Sequence, residues 1–461
     1  MRNTVRRAYV VYALIAAFFV GLIYLSYGYV VHGQSWVTNR VNGHLYTNRQ
    51  LTTAGTVFDK NGKVLVETKD GKRVFSSDYT VRNATLHAVG DTQGYISTGV
   101  QSIYRSYLIG YDLVNGVYKT VKSGNGNDIT LTIDSSVCAT AYNALGYNNG
   151  TIAVYNYKTG DVICMVSKPT YDPNNIPSDI NTNTSGKYDG VYLNRCLSGL
   201  FTPGSTFKTV VAICAIENIP DIFERTFKCS GKLKIDDGSD VICNSTHGKL
   251  TFKEAYGRSC NSVFAELAIE LGTKKLTATA EKLGFNKNLT ACGVKLKAGI
   301  FNLKKADDST IGWSGIGQGN TLANPCNMMM IAGAIANGGK AVTPQLVKAS
   351  STDKLSQLIG DITDTAQINI EPETAEKMQE LMRYTVKNVY GDYRFADLQM
   401  CGKTGTAEVD GKRPHSWFIG YSQKEDFPYA IVVMVENGGS SSSVALPAAS
   451  KVMSAVKAAV R

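Results

Sequence analysis

Three short segments stand in one order along this chain, and each demands a particular backbone setting. They are Ser205-Thr206-Phe207-Lys208, Ser259-Cys260-Asn261 and Lys403-Thr404-Gly405-Thr406. Ser205 follows Phe201-Thr202-Pro203-Gly204 and precedes the apolar run Val210-Val211-Ala212-Ile213. Pro and Gly stop the preceding segment, so Ser205 reads as the start of a buried helix. Free backbone N–H groups and the positive dipole end favour developing negative charge there. The i, i+3 spacing puts Lys208 on the same face as Ser205. Lys403 instead opens a strand pattern, with residues 415–421 and 429–435 as two further strands of an antiparallel sheet. Gly405 lets a ligand approach the strand edge closely. A lysine holds its proton up to a pH of about 10.4. Lys208 can act as a base only if desolvation and a second cation, Lys403, lower that value, so the segments belong to one electrostatic unit.

Each pattern also has decoys. Ser351–Lys354 and Ser454–Lys457 fit S-x-x-K, Ser123-Gly124-Asn125 fits S-x-N, and Lys158-Thr159-Gly160 fits K-T-G. Context sorts them. Ser454 falls in the last turns of a terminal helix, where Lys457 is solvated. Ser351 lies in a polar stretch after Pro344. Lys158-Thr159-Gly160 separates two apolar runs and reads as a hairpin turn with Gly at positive φ.

The chain has 461 residues, 43% of them hydrophobic, enough for two or three domains. Arg2, Arg6 and Arg7 precede a stretch without charge from residue 8 to residue 38. As a helix, residues 8–31 span roughly 36 Å, enough to cross a bilayer. Positive flanks stay in the cytoplasm, so the remaining chain is expected outside it. A cleaved signal peptide is the rival reading; the long apolar run without an A-x-A-like site argues against it. The net charge of +10 is dispersed, with no arginine-rich arm and no nucleic-acid motif. Ten cysteines all lie beyond the apolar run, none in a C-x-x-C pair, and most read as small buried hydrophobes, Cys260 among them. Cys229 and Cys243 flank a charged segment with a turn at Asp236-Asp237-Gly238, which makes them a candidate disulfide. Histidines number five, and no H-E-x-x-H, other metal-ligand cluster, P-loop or dinucleotide fingerprint occurs. Neither a metal nor a nucleotide cofactor is expected.

Placed together, the motifs resemble those of class B penicillin-binding proteins, the monofunctional peptidoglycan transpeptidases of bacteria. The resemblance covers nearly the whole chain. Residues 54–62, Ala-Gly-Thr-Val-Phe-Asp-Lys-Asn-Gly, are similar to the family's R-G-x-I-x-D-R-N-G entry into a pedestal domain, with Ala54 in place of the arginine. Residues 128–134 resemble its L-T-I-D strand, and Asn194-Arg195, Gly317-Gln318-Gly319 and residues 336–339 match further landmarks. The resemblance implies an α/β (α+β) fold of the serine β-lactamase type. It has a five-stranded antiparallel sheet with helices on both faces, an all-helical subdomain, a transmembrane helix and a small β-rich pedestal. The implied domains are 1–31 (anchor), 32–126 (pedestal) and 127–461 (transpeptidase).

It also implies a division of labour. Ser205 is the nucleophile, Lys208 its base, Ser259 a proton relay to the leaving group, and Asn261 a holder of Lys208 and substrate. The backbone N–H groups of Ser205 and Thr406 form the oxyanion hole, and Lys403, Thr404 and Thr406 hold the terminal carboxylate beside Gly405. Implied partners are D-Ala-D-Ala stem peptides, β-lactams, the cell membrane and a glycan polymerase of the shape, elongation, division and sporulation family. A D,D-carboxypeptidase uses the same residues; a penicillin sensor and an idle scaffold are rivals from other classes. Trp417 and Tyr421 read as core rather than groove, and residues 444–461 as a helix packed on the sheet rather than a membrane foot.

Overall fold

The computed structural model describes residues 2–37, 46–47, 50–51, 54–111, 126–235, 239–348 and 368–460. Helix α1 (Arg2–Val37) contains an apolar span, Thr4–Gly33, of mean hydropathy 2.3, whose large apolar side chains are exposed. It is long and apolar enough to cross a membrane.

Strands β1 (Val57–Phe58), β2 (Val64–Lys69) and β3 (Lys72–Phe75) form an antiparallel meander, followed by α2 (Tyr79–Val89). Strand β4 (Ile129–Thr130) returns to pair with β1 in parallel, giving the sheet order β3-β2-β1-β4. Position 54 lacks the family's arginine, yet a guanidinium reaches the same backbone. Buried Arg73 donates to the carbonyls of Ala54 (3.1 Å) and Gly55 (2.8 Å) and to Gln101 Oε1 (3.0 Å). The segments on either side of residue 126 are packed together: β4 sits in the first sheet, and α2 packs against the next helix, α3 (Ser135–Leu145).

The hairpin β5 (Gly150–Asn156) and β6 (Val162–Lys168) follows, with Gly160 at φ +87° in its turn. A helical region then begins with α4 (Lys208–Asn218). An excursion carries β7 (Thr226–Cys229), β8 (Val241–Ile242) and β9 (Gly248–Thr251), in which β7 pairs with β9. Helices α5 (Phe252–Gly257), α6 (Asn261–Lys282), α7 (Asp308–Gly315), α8 (Pro325–Ala336) and α9 (Pro372–Tyr384) come next. The chain closes with β10 (Met400–Val409), β11 (Lys412–Ser422), β12 (Tyr429–Val435) and α10 (Ala445–Ala459).

The main sheet is antiparallel, in the order β10-β11-β12-β5-β6. Its inner strands read as continuous apolar runs, such as Tyr-Ala-Ile-Val-Val-Met-Val in β12, because helices cover both faces. Helix α8 lies over the side carrying Tyr155, whose ring occupies the space left at Gly333; α3 and α10 pack on each other and on the sheet. Trp417 and Tyr421 are fully buried, and so are Val452, Met453 and Val456 of α10, which therefore packs on the sheet. The first strand in this order, β10, leaves one edge of the sheet open to the site.

Candidate active site

The turn at Ser205 is built by its neighbours. Residues Gly204–Thr206 form one 3-10 turn that runs into α4. Phe207 is fully buried between the rings of Phe285 (5.3 Å) and Phe301 (4.9 Å). That burial stabilises the turn by roughly 1.5–3 kcal/mol. Gly204 adopts φ +53°, and a Cβ there would meet Thr406 O at 2.7 Å. A Cβ at Gly405 would meet Pro203 O at 2.6 Å and Thr206 N at 3.0 Å. The Ser205 turn thus lies directly on β10, at the K-T-G-T segment.

Ser259 sits between α5 and α6. A capping box, Thr251 with Glu254, starts α5. Its end is a Schellman turn: the Cys260 N–H donates to Ala255 O (2.9 Å) and the Ser259 N–H to Tyr256 O (3.1 Å). The left-handed position of such a turn usually holds Gly; here Ser259 occupies it, at φ +58°. Cys260 is the N-cap of α6, and Asn261 is the first residue of that helix.

These settings converge. Lys208 Nζ lies 3.1 Å from Ser205 Oγ, 2.6 Å from Ser259 O, 3.2 Å from Ser259 Oγ and 2.6 Å from Asn261 Oδ1. Lys403 Nζ lies 2.9 Å from the same Ser259 Oγ and 3.0 Å from Thr404 O. Both lysine side chains are fully buried, while Ser205 and Ser259 are partly open. Burial lowers both amines, Lys208 to about 7 and Lys403 well below its usual value, with repulsion from Lys208 adding to the second. Counting donors shows what a neutral Lys208 would have free. An ammonium has three N–H groups and no acceptor. The carbonyl oxygens of Ser259 and Asn261 can only accept, and at 2.6 Å each takes one N–H. A neutral Lys208 then keeps a lone pair for the Ser205 hydroxyl proton.

Ser205, Ser259, Asn261, Thr404 and Thr406 line one cleft of about 550 Å³. Each catalytic or substrate-binding candidate named from the sequence is in this cleft or, for Lys208, Lys403 and Gly405, directly behind it. The Ser454 decoy is exposed on α10, and Lys158-Thr159-Gly160 is the β5–β6 turn. Ser123 and Ser351 lie outside the described residues.

Sequence reasoning missed several groups. The Tyr390 hydroxyl accepts from Thr404 N–H (3.0 Å) and lies 2.8 Å from Thr404 Oγ1. Ser441 Oγ lies 3.1 Å from Thr406 Oγ1. Trp313, Gln318 and Glu408 also line the cleft. None of these stands in a motif; only the family landmark at 317–319 signalled Gln318.

One expectation about sulfur needs correction. Cys229 and Cys243 form no disulfide; both thiols are free. The excursion is not a simple hairpin, since β7 pairs with β9 and sets Cys229 opposite Gly248. Each of the two Sγ atoms lies 3.5 Å from His247 Nδ1. The sequence motifs also gave no sign that Cys229, Cys243, His247 and Cys260 converge within 4.8 Å of one another. Their separations in sequence hid them.

A family pattern described as the penicillin binding protein transpeptidase domain matches residues 150–454. The chain belongs to the penicillin-binding protein transpeptidase family. Among curated relatives, it is 26% identical over 375 residues to the peptidoglycan D,D-transpeptidase PbpA of Mycolicibacterium smegmatis, covering 75% of this chain and 76% of that one. It is 26% identical to MrdA of Acinetobacter baumannii, covering 70% of this chain and 53% of the relative. A solved D,D-transpeptidase domain from Eggerthella lenta is 25% identical, with a TM-score of 0.74 over 88% of this chain and 99% of that one. The penicillin G acyl-enzyme of penicillin-binding protein A from M. tuberculosis shares the fold at 22% identity, with a TM-score of 0.73 over 89% of this chain. The antiparallel five-stranded sheet with its helices agrees with the fold expected for the family.

Proposed function

We propose that this penicillin-binding protein is a peptidoglycan D,D-transpeptidase in which Ser205 forms the acyl-enzyme. The observation that carries the assignment is the contact set of the buried Lys208, which holds its Nζ 3.1 Å from Ser205 Oγ while two carbonyl oxygens take its other N–H groups. Ser205 Oγ attacks the carbonyl carbon between the two D-alanines, and its proton passes to Lys208 Nζ. The backbone N–H groups of Ser205 and Thr406 stabilise the oxyanion. The C–N bond breaks, and the terminal D-alanine leaves as an amine after taking a proton through Ser259 Oγ, which touches both lysines. An acceptor amine then attacks the Ser205 ester, Lys208 takes its proton, and the returning Ser205 alkoxide recovers that proton. Lys403, Thr404 and Thr406 hold the substrate carboxylate, and Asn261 holds Lys208 and the substrate backbone. A β-lactam acylates Ser205 in the same way, but its leaving nitrogen stays tethered.

The family resemblance and the apolar α1 support an organisation into an anchor (1–31), a pedestal (32–126) and a transpeptidase domain (127–461). Arg2, Arg6 and Arg7 favour a cytoplasmic N-terminus, with the catalytic domain outside the membrane. The same resemblance supports a partner among the membrane-embedded glycan polymerases of the shape, elongation, division and sporulation family. Lack of both co-purification and mutual stimulation would remove that partner.

Labelling with fluorescent penicillin, followed by peptide mapping, tests the site. The label is expected on Ser205 and absent from Ser205→Ala; label on Ser351 or Ser454 would overturn the assignment. Product analysis with a stem-peptide donor and an amine acceptor separates transfer from hydrolysis. Hydrolysed tetrapeptide alone would make the enzyme a carboxypeptidase.

A further inference from the structure

Four side chains beside the catalytic cleft have no part in acyl transfer. Cys229 ends β7, Cys243 follows β8, His247 precedes β9, and Cys260 caps α6. The three cysteines are buried and His247 is partly so. Their ligand atoms lie within 4.8 Å of one another. Cys243 Sγ is 3.8 Å from Cys260 Sγ, and His247 Nδ1 is 3.5 Å from the sulfurs of Cys229 and Cys243.

We propose that Cys229, Cys243, His247 and Cys260 form a structural zinc site that clamps the β7–β9 excursion to the Ser259-Cys260-Asn261 turn. Three of the separations, 3.8, 3.5 and 3.5 Å, are those of tetrahedral edges, and the rest lie within 4.8 Å, a small closure away. With Zn–S of about 2.3 Å and Zn–N of about 2.0–2.1 Å, tetrahedral angles put sulfurs about 3.8 Å apart and sulfur about 3.6 Å from nitrogen. A disulfide would need its sulfurs near 2.0 Å and would strand the third thiol and the imidazole. The imidazole is also oriented for the role. His247 Nε2 is 3.0 Å from Ser245 Oγ, so an N–H there donates outward and the Nδ1 lone pair faces the sulfurs. Three thiolates with one imidazole suit zinc, and four protein ligands leave no open position for catalysis. Binding ionises three thiols and releases their protons, so Zn²⁺ with three thiolates and neutral His247 carries a net charge of minus one.

The clamp reaches the catalytic residues through the chain. Cys260 stands between Ser259 and Asn261. The Asn261 N–H donates to Cys243 Sγ (3.3 Å), and Asn261 Nδ2 donates to Ile242 O (2.9 Å). Cys243 N–H donates to Gly231 O (2.9 Å), tying the excursion to itself. A metal held here fixes the helix start that aims Asn261 Oδ1 at Lys208. The four ligands come from separate segments held together by the β7–β9 ladder, the pairing of β8 with residues 232–233 and packing on α6, and the metal would add a direct link among all of them.

Metal analysis of the full-length protein, purified in detergent without chelators from zinc-containing medium, tests the proposal. About one zinc per chain is expected, and cobalt in its place should give thiolate-to-metal charge-transfer absorption. Ser245→Ala, which keeps all four ligands, should weaken zinc about 10–100-fold in competition with a chelator. Cys229→Ser and His247→Ala should lose the metal. Folded, penicillin-labelled protein with less than about a tenth of an equivalent of any transition metal would overturn the site. So would a Cys229–Cys243 disulfide in the purified chain. Zinc content does not depend on acyl transfer: a zinc-loaded protein that penicillin fails to label would sink the transpeptidase reading and leave the metal site standing.

Discussion

Ser259 carries two burdens, a hydroxyl between two lysines and a backbone conformation that disfavours any side chain. A non-glycine residue in the left-handed region stores about 1–2 kcal/mol, and such strain collects at functional positions. Ser259→Gly separates the two burdens. The variant should unfold at higher denaturant, gaining about 1 kcal/mol, while acylation by penicillin falls at least about 100-fold through loss of the relay. Equal loss of stability and acylation would show that the hydroxyl serves the fold instead. Lys208 gives a second residue-scale prediction. Only its neutral form can take the Ser205 proton, and burial lowers it to about 7. The titratable groups facing it are Lys403, Cys243 and Cys260. The acylation rate should therefore rise with pH through about 7 and level off above it. A flat profile from about pH 6 to 8 would exclude Lys208 as the base.

Among elements, β10 is where the catalytic turn and the substrate would meet, and its edge is only partly free. Tyr390 caps the outward N–H of Thr404, two residues before the Thr406 N–H assigned to the oxyanion. Tyr390 is therefore a positioning residue for the strand edge. Tyr390→Phe keeps the ring and removes the cap, which should lower penicillin acylation about tenfold, equal to about 1.4 kcal/mol. The melting temperature should move little, because water can reach the strand edge. A collapse of both would mean that the hydroxyl holds the fold. The elements that carry motifs were legible in the sequence for physical reasons: Pro203-Gly204 before an apolar run marks a helix start, and the short apolar runs after Lys403 mark strands. Tyr390 was not legible, since it lies in a π-helical segment, Thr385–Gly391, that continues α9 and whose wider turn no 3.6-residue periodicity announces. The cysteine cluster was hidden for another reason. Its ligands are separated by 13, 3 and 12 residues in the sequence and meet only because β7 pairs with β9 and α5 folds back at Ser259.

At the scale of the whole molecule, α1 meets the rest of the chain only near its C-terminal end, at Gly33 and Val37, among the described residues. Its large apolar side chains from Val5 to Val31 are exposed, whereas α10, also apolar on one side, is packed on the sheet. A helix of this length exposed to water would leave about 20 apolar residues hydrated, which only a bilayer, detergent or self-association relieves. The reading of 1–31 as an anchor and of 444–461 as a packed helix makes opposite predictions for the two ends. Removal of residues 2–33 should release the protein from the membrane fraction with its melting temperature changed by less than about 2 °C and its penicillin labelling intact. Removal of α10 should abolish folding, because it uncovers the sheet beneath Val452, Met453 and Val456. If the first truncation unfolds instead, α1 is part of the core; if it stays in the membrane fraction, another surface of this penicillin-binding protein holds it there.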